Sequence, residues 1–269
     1  MAMATATATA TATANSRKIN NMEQTGLTDL HTHILPGVDD GAEDLNAALQ
    51  MLRVQRASGV ERVALTPHYY PLEEDLDAFR ERRRQAWNLL LSGWNADAMP
   101  QLRLGAEVHF SPCLADMDLR ELTLHETDYM LLELPDAILP TFLEPVLQQI
   151  LDQGITPILA HVERCVYFAE DPAKLQHLIE MGALAQISLR ILPHKRMRQF
   201  AEICLRKDVA QIIASDIHSA ENAALGVLTE GMSEGVVERA ELFARAVWDN
   251  TQLPDFAPVS IQKKLFGYA

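Results

Sequence analysis

The chain has 269 residues, 48% of them apolar and 22% charged. This suits a folded protein with a sizeable core and excludes disordered, collagen-like and coiled-coil chains. Lys and Arg number 23 against 37 Asp and Glu, a formal net charge of −14 that repels nucleic-acid backbones and anionic membrane surfaces. No nucleic-acid partner is expected, and bound divalent metals are one way for phosphate chemistry to find positive charge here.

Residues 1–14, MAMATATATATATA, lack the basic start and Leu-rich stretch of a secretory signal. Residues 1–26 are read as a disordered Ala/Thr-rich leader, with Met22 an alternative start, and 27–269 as a single domain. No apolar run approaches the roughly 20 residues that span a bilayer, so no membrane insertion is expected. Cys113, Cys165 and Cys204 are an odd count without a C-x-x-C, which points to a reducing cytoplasm rather than a disulfide scaffold.

Short apolar runs predict buried strands at 28–31, 62–66, 102–108, 129–134, 156–160, 184–189 and 211–215. Helical patterns lie between most of them. Over 141–153 the apolar positions Leu143, Val146, Leu147, Ile150 and Leu151 form an amphipathic stripe. Thr141 and Glu144 read as a capping box and Gly154 as the stop. Asp171-Pro172 opens the next helix and Gly182 closes it. The stripe recurs over 194–206. Seven strands alternating with helices predict an α/β fold with a parallel sheet. No G-x-G-x-x-G follows the first strand and no Walker A motif occurs, which favours a closed barrel over a nucleotide-binding open sheet.

Six of these strands end in imidazoles or carboxylates: His31 and His33, then His68, Glu107, Glu133, His161, and Asp216 with His218. Only the run at 184–189 ends without a ligand type. In such barrels the carboxyl ends of the strands form the active-site rim. Each residue has a bland alternative. His31 and His33 would share a face as a satisfied pair, and Asp40 would be a helix N-cap in Asp-x-x-Glu. Glu107 and Glu133 would pair with an arginine. Taken together, so many buried acids and imidazoles repel and desolvate one another unless cations are bound. With no thiolate at the strand ends, the expected ions are Mn²⁺, Fe²⁺ or Zn²⁺, in clusters of two or three with an acidified water.

At these residues the sequence resembles a known group. The run from Asp29 to Gly41, DLHTHILPGVDDG, resembles the N-terminal signature of the PHP (polymerase and histidinol phosphatase) superfamily. More closely, it is similar to the bacterial metal-dependent protein-tyrosine phosphatases encoded with capsule and exopolysaccharide genes. Thr66-Pro67-His68, Gly105-Ala106-Glu107, Leu132-Glu133, the run from Gly154 to Arg164 and Ala214-Ser215-Asp216-Ile217-His218 follow in the family's order. The resemblance implies a distorted seven-stranded (β/α) barrel and three metal ions, usually manganese. It implies the ligands His31, His33, Asp40, His68, Glu107, Glu133, His161, Asp216 and His218, with Glu107 a sensible bridge, and it makes Arg164 the phosphate-binding arginine.

The group's second arginine, expected after the Asp-x-His motif, is missing from Ser219–Gly226. Arg190, Lys195 and Arg196 are the candidate replacements. The expected reaction is metal-dependent hydrolysis of phosphotyrosine on a partner protein, a bacterial tyrosine kinase, with the departing phenolate stabilised by a metal or protonated by His68 or His218 where these are not fully committed as ligands. Rival readings are a histidinol-phosphate-like phosphatase, a metal amidohydrolase, or a non-catalytic phosphotyrosine-binding module. A cysteine mechanism needs Cys-x5-Arg, which occurs nowhere.

Overall fold

The computed structural model describes residues 26–189, 195–222, 225, 229, 232–264 and 267–268. Arg190 and, except for Gly26, the expected leader lie outside the described residues, as does the side chain of Arg196. The first half of the chain runs β1 (Leu27–Asp29), α1 (Leu45–Ala57), β2 (Val60–Leu65), β3 (His68–Tyr69), α2 (Leu76–Gly93), β4 (Gln101–Leu104), β5 (Glu107–His109) and β6 (Tyr129–Glu133). The second half runs α3 (Leu143–Asp152), β7 (Thr156–Leu159), α4 (Val166–Glu170), α5 (Pro172–Glu180), β8 (Leu184–Ser188), α6 (Lys195–Arg206), β9 (Ile212–Ala214) and α7 (Glu234–Trp248). A hairpin of β10 (Lys263–Lys264) and β11 (Gly267–Tyr268) follows.

The fold is α/β, and every strand pair apart from that hairpin is parallel. The ladders fall into a three-stranded sheet, β1-β2-β4, and a six-stranded sheet, β3-β5-β6-β7-β8-β9. A single ring of seven strands is therefore not the hydrogen-bonded arrangement. The cause is local. The expected run at 62–66 stops where Pro67 has no N–H for the ladder, and the chain resumes pairing as β3. The run at 102–108 divides at Gly105-Ala106 into β4 and β5. Backbone bonds carry each pairing into this seam: Gly105 N to Leu65 O at 2.9 Å beyond β4 and β2, Glu107 N to Pro67 O at 3.0 Å ahead of β5 and β3, and Thr66 N to Thr32 O at 2.9 Å after β2 and β1. On the other side Asp216 N donates to His31 O and His33 N to Ile217 O, both at 3.0 Å.

Helices pack where their apolar stripes dictate. α3 buries Leu143, Val146, Leu147 and Ile150 and ends at Gly154, whose φ of +72° suits a residue without Cβ. The expected Thr141–Glu144 capping box does not form. Phe142 occupies the N-cap, and its side chain has no acceptor to offer, while the Leu143 N–H donates to Pro140 O in a turn at 3.2 Å. At the amino ends of the strands α7 closes the core. Its Phe243, Ala244 and Val247 cluster with Leu30, Leu131, Ile158, Leu184 and Ile212, and Arg245 donates to Gly26 O at 3.1 Å.

Candidate metal centre

The carboxyl ends of the strands converge on one polar cluster. His31 and His33 follow β1, and their Nε2 atoms lie 3.1 Å apart in full burial. The loop after them folds back tightly. A Cβ at Gly41 would stand 1.9 Å from His33 O, so only glycine fits this close approach. That turn brings Asp39 Oδ2 to 2.8 Å from His33 Nδ1, where it also accepts from His68 N at 3.1 Å. Asp40 is not a helix cap. α1 is capped by Asp44, which accepts from Ala47 N at 2.9 Å, and Asp40 Oδ1 lies 3.5 Å from His68 Nε2 and 3.4 Å from His218 Nε2.

Glu107, at the start of β5, sits at the centre. Its Oε1 lies 2.8 Å from His161 Nε2. Its Oε2 lies 3.2 Å from His31 Nε2, 3.3 Å from His33 Nε2 and 3.0 Å from His68 Nδ1. Despite this crowding, Oε2 makes no hydrogen bond. Glu133 Oε1 is 3.6 Å from His161 Nε2, and its Oε2 accepts from His109 Nδ1 at 3.0 Å. Asp216 Oδ1 is 3.6 Å from both His31 and His33 Nε2 and 3.4 Å from His218 Nδ1. All nine residues expected as ligands thus meet in one cluster.

Three sets of ligand atoms lie close enough to share an ion: His33, Asp40, His68 and His218; His31, His33 and Glu107; His68, Glu107 and Glu133. The orientation of the rings fits this use. Nδ1 of His31 faces Gln186 Oε1 at 3.2 Å, Nδ1 of His33 faces Asp39, and Nδ1 of His218 faces Asp216 O at 2.9 Å. An acceptor at Nδ1 fixes the proton there and leaves the Nε2 lone pair for a metal. A buried carboxylate oxygen ringed by imidazole nitrogens but bonded to none is the donor set of a divalent-metal site.

Electrostatics agree. Burial alone would raise the Glu107 carboxyl, but His31, His161 and His33 outweigh it and hold it well below the usual range. Asp216, likewise opposed by burial, is held down to about 2 by His31, Arg164 and His33. Without a metal the imidazoles act as the missing cations. Burial disfavours a charged His33, yet Asp39 and Glu107 raise it to about 10. Two of the clustered residues also hold left-handed backbone, His161 at φ +31° and Asp216 at φ +54°. Such strain in non-glycine residues gathers at functional sites.

Arg164, in the turn after His161, forms an ion pair with Asp216 rather than with Glu163 or Asp171, and its buried Nε has no acceptor. Lys195 is exposed and lines a cavity with Arg164.

Three supporting residues were not anticipated. Gln186 accepts from His161 N at 2.9 Å while facing His31, so the one strand without a ligand type still positions two imidazoles. Asp39 orients His33, and its place beside Asp40 was the available signal. Asp29, fully buried, accepts from Gln55 Nε2 at 2.6 Å and Ser215 N at 3.1 Å, tying the ends of β1 and β9 together.

A parallel α/β fold that gathers imidazoles and carboxylates at its strand ends defines a protein built around divalent metal ions. The chain belongs to the capsular polysaccharide synthesis CpsB/CapC family, whose model matches residues 27–230. It is similar to tyrosine-protein phosphatase YwqE of Bacillus subtilis, at 30% identity over 90% of this chain and 100% of that protein. It is also similar to tyrosine-protein phosphatase CpsB of Streptococcus pneumoniae, at 26% identity over 73% of this chain and 84% of that protein. Among solved structures, one from work on YwqE and CpsB as metal-dependent tyrosine phosphatases superposes with a TM-score of 0.76 at 25% identity, covering 88% of this chain and 100% of that one. A histidinol phosphate phosphatase from Lactococcus lactis shares the fold, with a TM-score of 0.51 at 14% identity over 87% of this chain and 97% of that one.

Proposed function

We propose that this protein is a metal-dependent protein-tyrosine phosphatase acting in capsule or exopolysaccharide synthesis. Its substrate is the phosphotyrosine of a partner protein, a bacterial tyrosine kinase, in the cytoplasm. The site holds three divalent ions, manganese in preference to iron or zinc, on His31, His33, Asp40, His68, Glu107, Glu133, His161, Asp216 and His218. Residues 27–269 act as one domain, the two sheets forming a distorted PHP-type barrel. The observation that carries this reading is Glu107 Oε2, a buried oxygen within 3.3 Å of three imidazole nitrogens and hydrogen-bonded to none. The relatives named tyrosine-protein phosphatases support the substrate class.

Bound divalent ions supply positive charge against the phosphoryl oxygens and lower the pKa of an attacking water. The protein's own residues do the rest. Arg164 offers a planar fork to two phosphate oxygens once its partner Asp216 turns to a metal. His68 or His218, the partly exposed imidazoles of the cluster, would protonate the departing phenolate where it is not committed to a metal. No residue needs to carry the phosphoryl group covalently. The test is metal analysis of the purified protein together with turnover of a phosphotyrosine peptide, alongside histidinol phosphate and an amide substrate. More than one transition metal per chain and selective phosphotyrosine hydrolysis are expected. A metal-free active protein would overturn the reading.

A further inference from the structure

We propose that a basic cavity beside the metal centre is a subsite for carboxylate side chains flanking the phosphotyrosine, so that the protein selects acidic phosphopeptides; this rests on the phosphatase reading above. The cavity measures 620 Å³, and its cations come from distant parts of the chain: Arg164 from the turn after β7, Lys195 from α6, and Lys263 and Lys264 from the terminal hairpin. In a chain with a net charge of −14 this is a local inversion of sign, opposed among the described lining residues by Glu163 and Glu170. Such a patch draws an anionic ligand against the field of the whole molecule.

The charge is unspent. The side chains of Lys195, Lys263 and Lys264 make no ion pair or hydrogen bond among the described residues. Elsewhere several arginines are committed: Arg56 to Glu61, Arg82 to Glu74, Arg84 to Glu81, Arg120 to Asp128 and Arg239 to Asp208. Arg164 joins the cavity to the metal centre, because it lines the one and reaches Asp216 in the other. Its buried Nε still lacks an acceptor. Lys263 and Lys264 stand on a hairpin held against the rest of the fold. Tyr268 of the hairpin donates to Ala169 O at 3.0 Å and packs on Phe200 with ring centroids 5.3 Å apart.

The dimensions and chemistry choose the ligand. A space of this size exceeds a single phosphate and admits several side chains of a bound peptide. Ammonium groups are point charges on flexible stems, so separate lysines accommodate carboxylates of different reach, which a rigid arginine fork would not.

The test uses the metal-loaded full chain and three substrates: p-nitrophenyl phosphate, a phosphotyrosine peptide with glutamates on both sides, and the same peptide with glutamines. Wild type should prefer the glutamate peptide by about fivefold in KM, with kcat alike and the preference fading at high salt. Lys263→Ala with Lys264→Ala should bring the two peptides level, and both positions are exposed, so folding is not at stake. Equal KM values for the two peptides in the wild type would overturn the proposal without any variant. A preference that survives in the double variant would also overturn it. Hydrolysis of p-nitrophenyl phosphate reports on the metal centre alone. Its absence in the wild type would sink the phosphatase reading, whereas normal turnover without peptide preference would sink only the subsite.

Discussion

Two buried carboxylates at opposite ends of the strands have opposite fates. At the amino ends, Glu241 of α7 accepts from Thr28 N and Thr28 Oγ1, both at 2.8 Å, and from Arg245 Nε at 2.9 Å. Every lone pair in use has a donor fixed by the fold. At the carboxyl ends, Glu107 lies deeper, yet its Oε2 stands among imidazoles with no hydrogen bond. The first arrangement holds a helix to a strand. The second is incomplete without a cation, since an unpaired buried carboxylate is costly. The contrast sets a structural acid against a candidate metal ligand, and it can be broken at either end.

The largest effect should come from the rim. Glu107→Gln keeps the shape and removes the charge, so metal content should fall by at least one ion per chain. Phosphotyrosine turnover should drop by more than about 100-fold, beyond the loss typical of residues that only orient ligands. Full metal content and activity in this variant would place Glu107 with Glu241 as a purely structural acid.

Arg164→Ala is expected to rank second. Losing a charged hydrogen bond to the ligand costs about 1.5–3 kcal/mol, roughly a tenfold to hundredfold fall in kcat/KM carried mostly by KM. The absence of an arginine in Ser219–Gly226 pushes this toward the upper end. If Arg164 only braces Asp216 through their ion pair, thermal stability should fall while KM stays put.

At the opposite end, Glu241→Ala should cost about 1–3 kcal/mol of stability by orphaning the Thr28 donors, and leave turnover of metal-loaded enzyme unchanged. Burial raises the Glu241 carboxyl above 4.5, against the lowering bonds from Thr28 and Arg245. The folded state therefore keeps this proton longer than the unfolded chain does. The stability it contributes is complete below pH 4.5 and declines as pH rises through the raised value. The gap between wild type and variant, measured by denaturant unfolding of metal-free protein, should narrow from pH 4.5 upward. A gap that widens would reverse the assignment of the shift.

Much of this comparison was legible in the chain itself, because ligand residue types at strand ends are chemically distinctive. His31, His33, Glu107 and Asp216 needed only the strand positions to be brought together. Asp40 was ambiguous, since Asp-x-x-Glu also caps helices, and only the competing cap at Asp44 decides it. Gln186 was hidden, because an amide in an apolar run carries no signal until its oxygen is seen between His31 and His161. The break at Pro67 was written in the residue, but its consequence, a division into two sheets, depends on long-range pairing. The basic cavity was hidden for a similar reason: Lys263 and Lys264 meet Arg164 only after the hairpin folds back against α4 and α6.

The smallest expected effect is none at all, and it tests whether the rim owes anything to sulfur. Cys165 follows Arg164 directly and is the one thiol placed to mimic a cysteine phosphatase. Burial pushes it up to about 12, against a lowering contact from Tyr167, and burial drives Cys204 well above its ordinary value. At pH 7 a thiol of pKa 12 is ionised on the order of once in 10⁵ molecules, far too rarely for a nucleophile or for alkylation to reach it. Cys165 also packs in the apolar core with Phe168 and Leu175, away from the water that any phosphate would bring. Cys113 is partly exposed and donates to Ser111 Oγ at 3.2 Å. Iodoacetamide at pH 7 should therefore modify Cys113 at most and leave aryl phosphate turnover within error, while a chelator abolishes it. Inactivation by alkylation with metal content intact would move the chemistry from the imidazoles and carboxylates to a thiol.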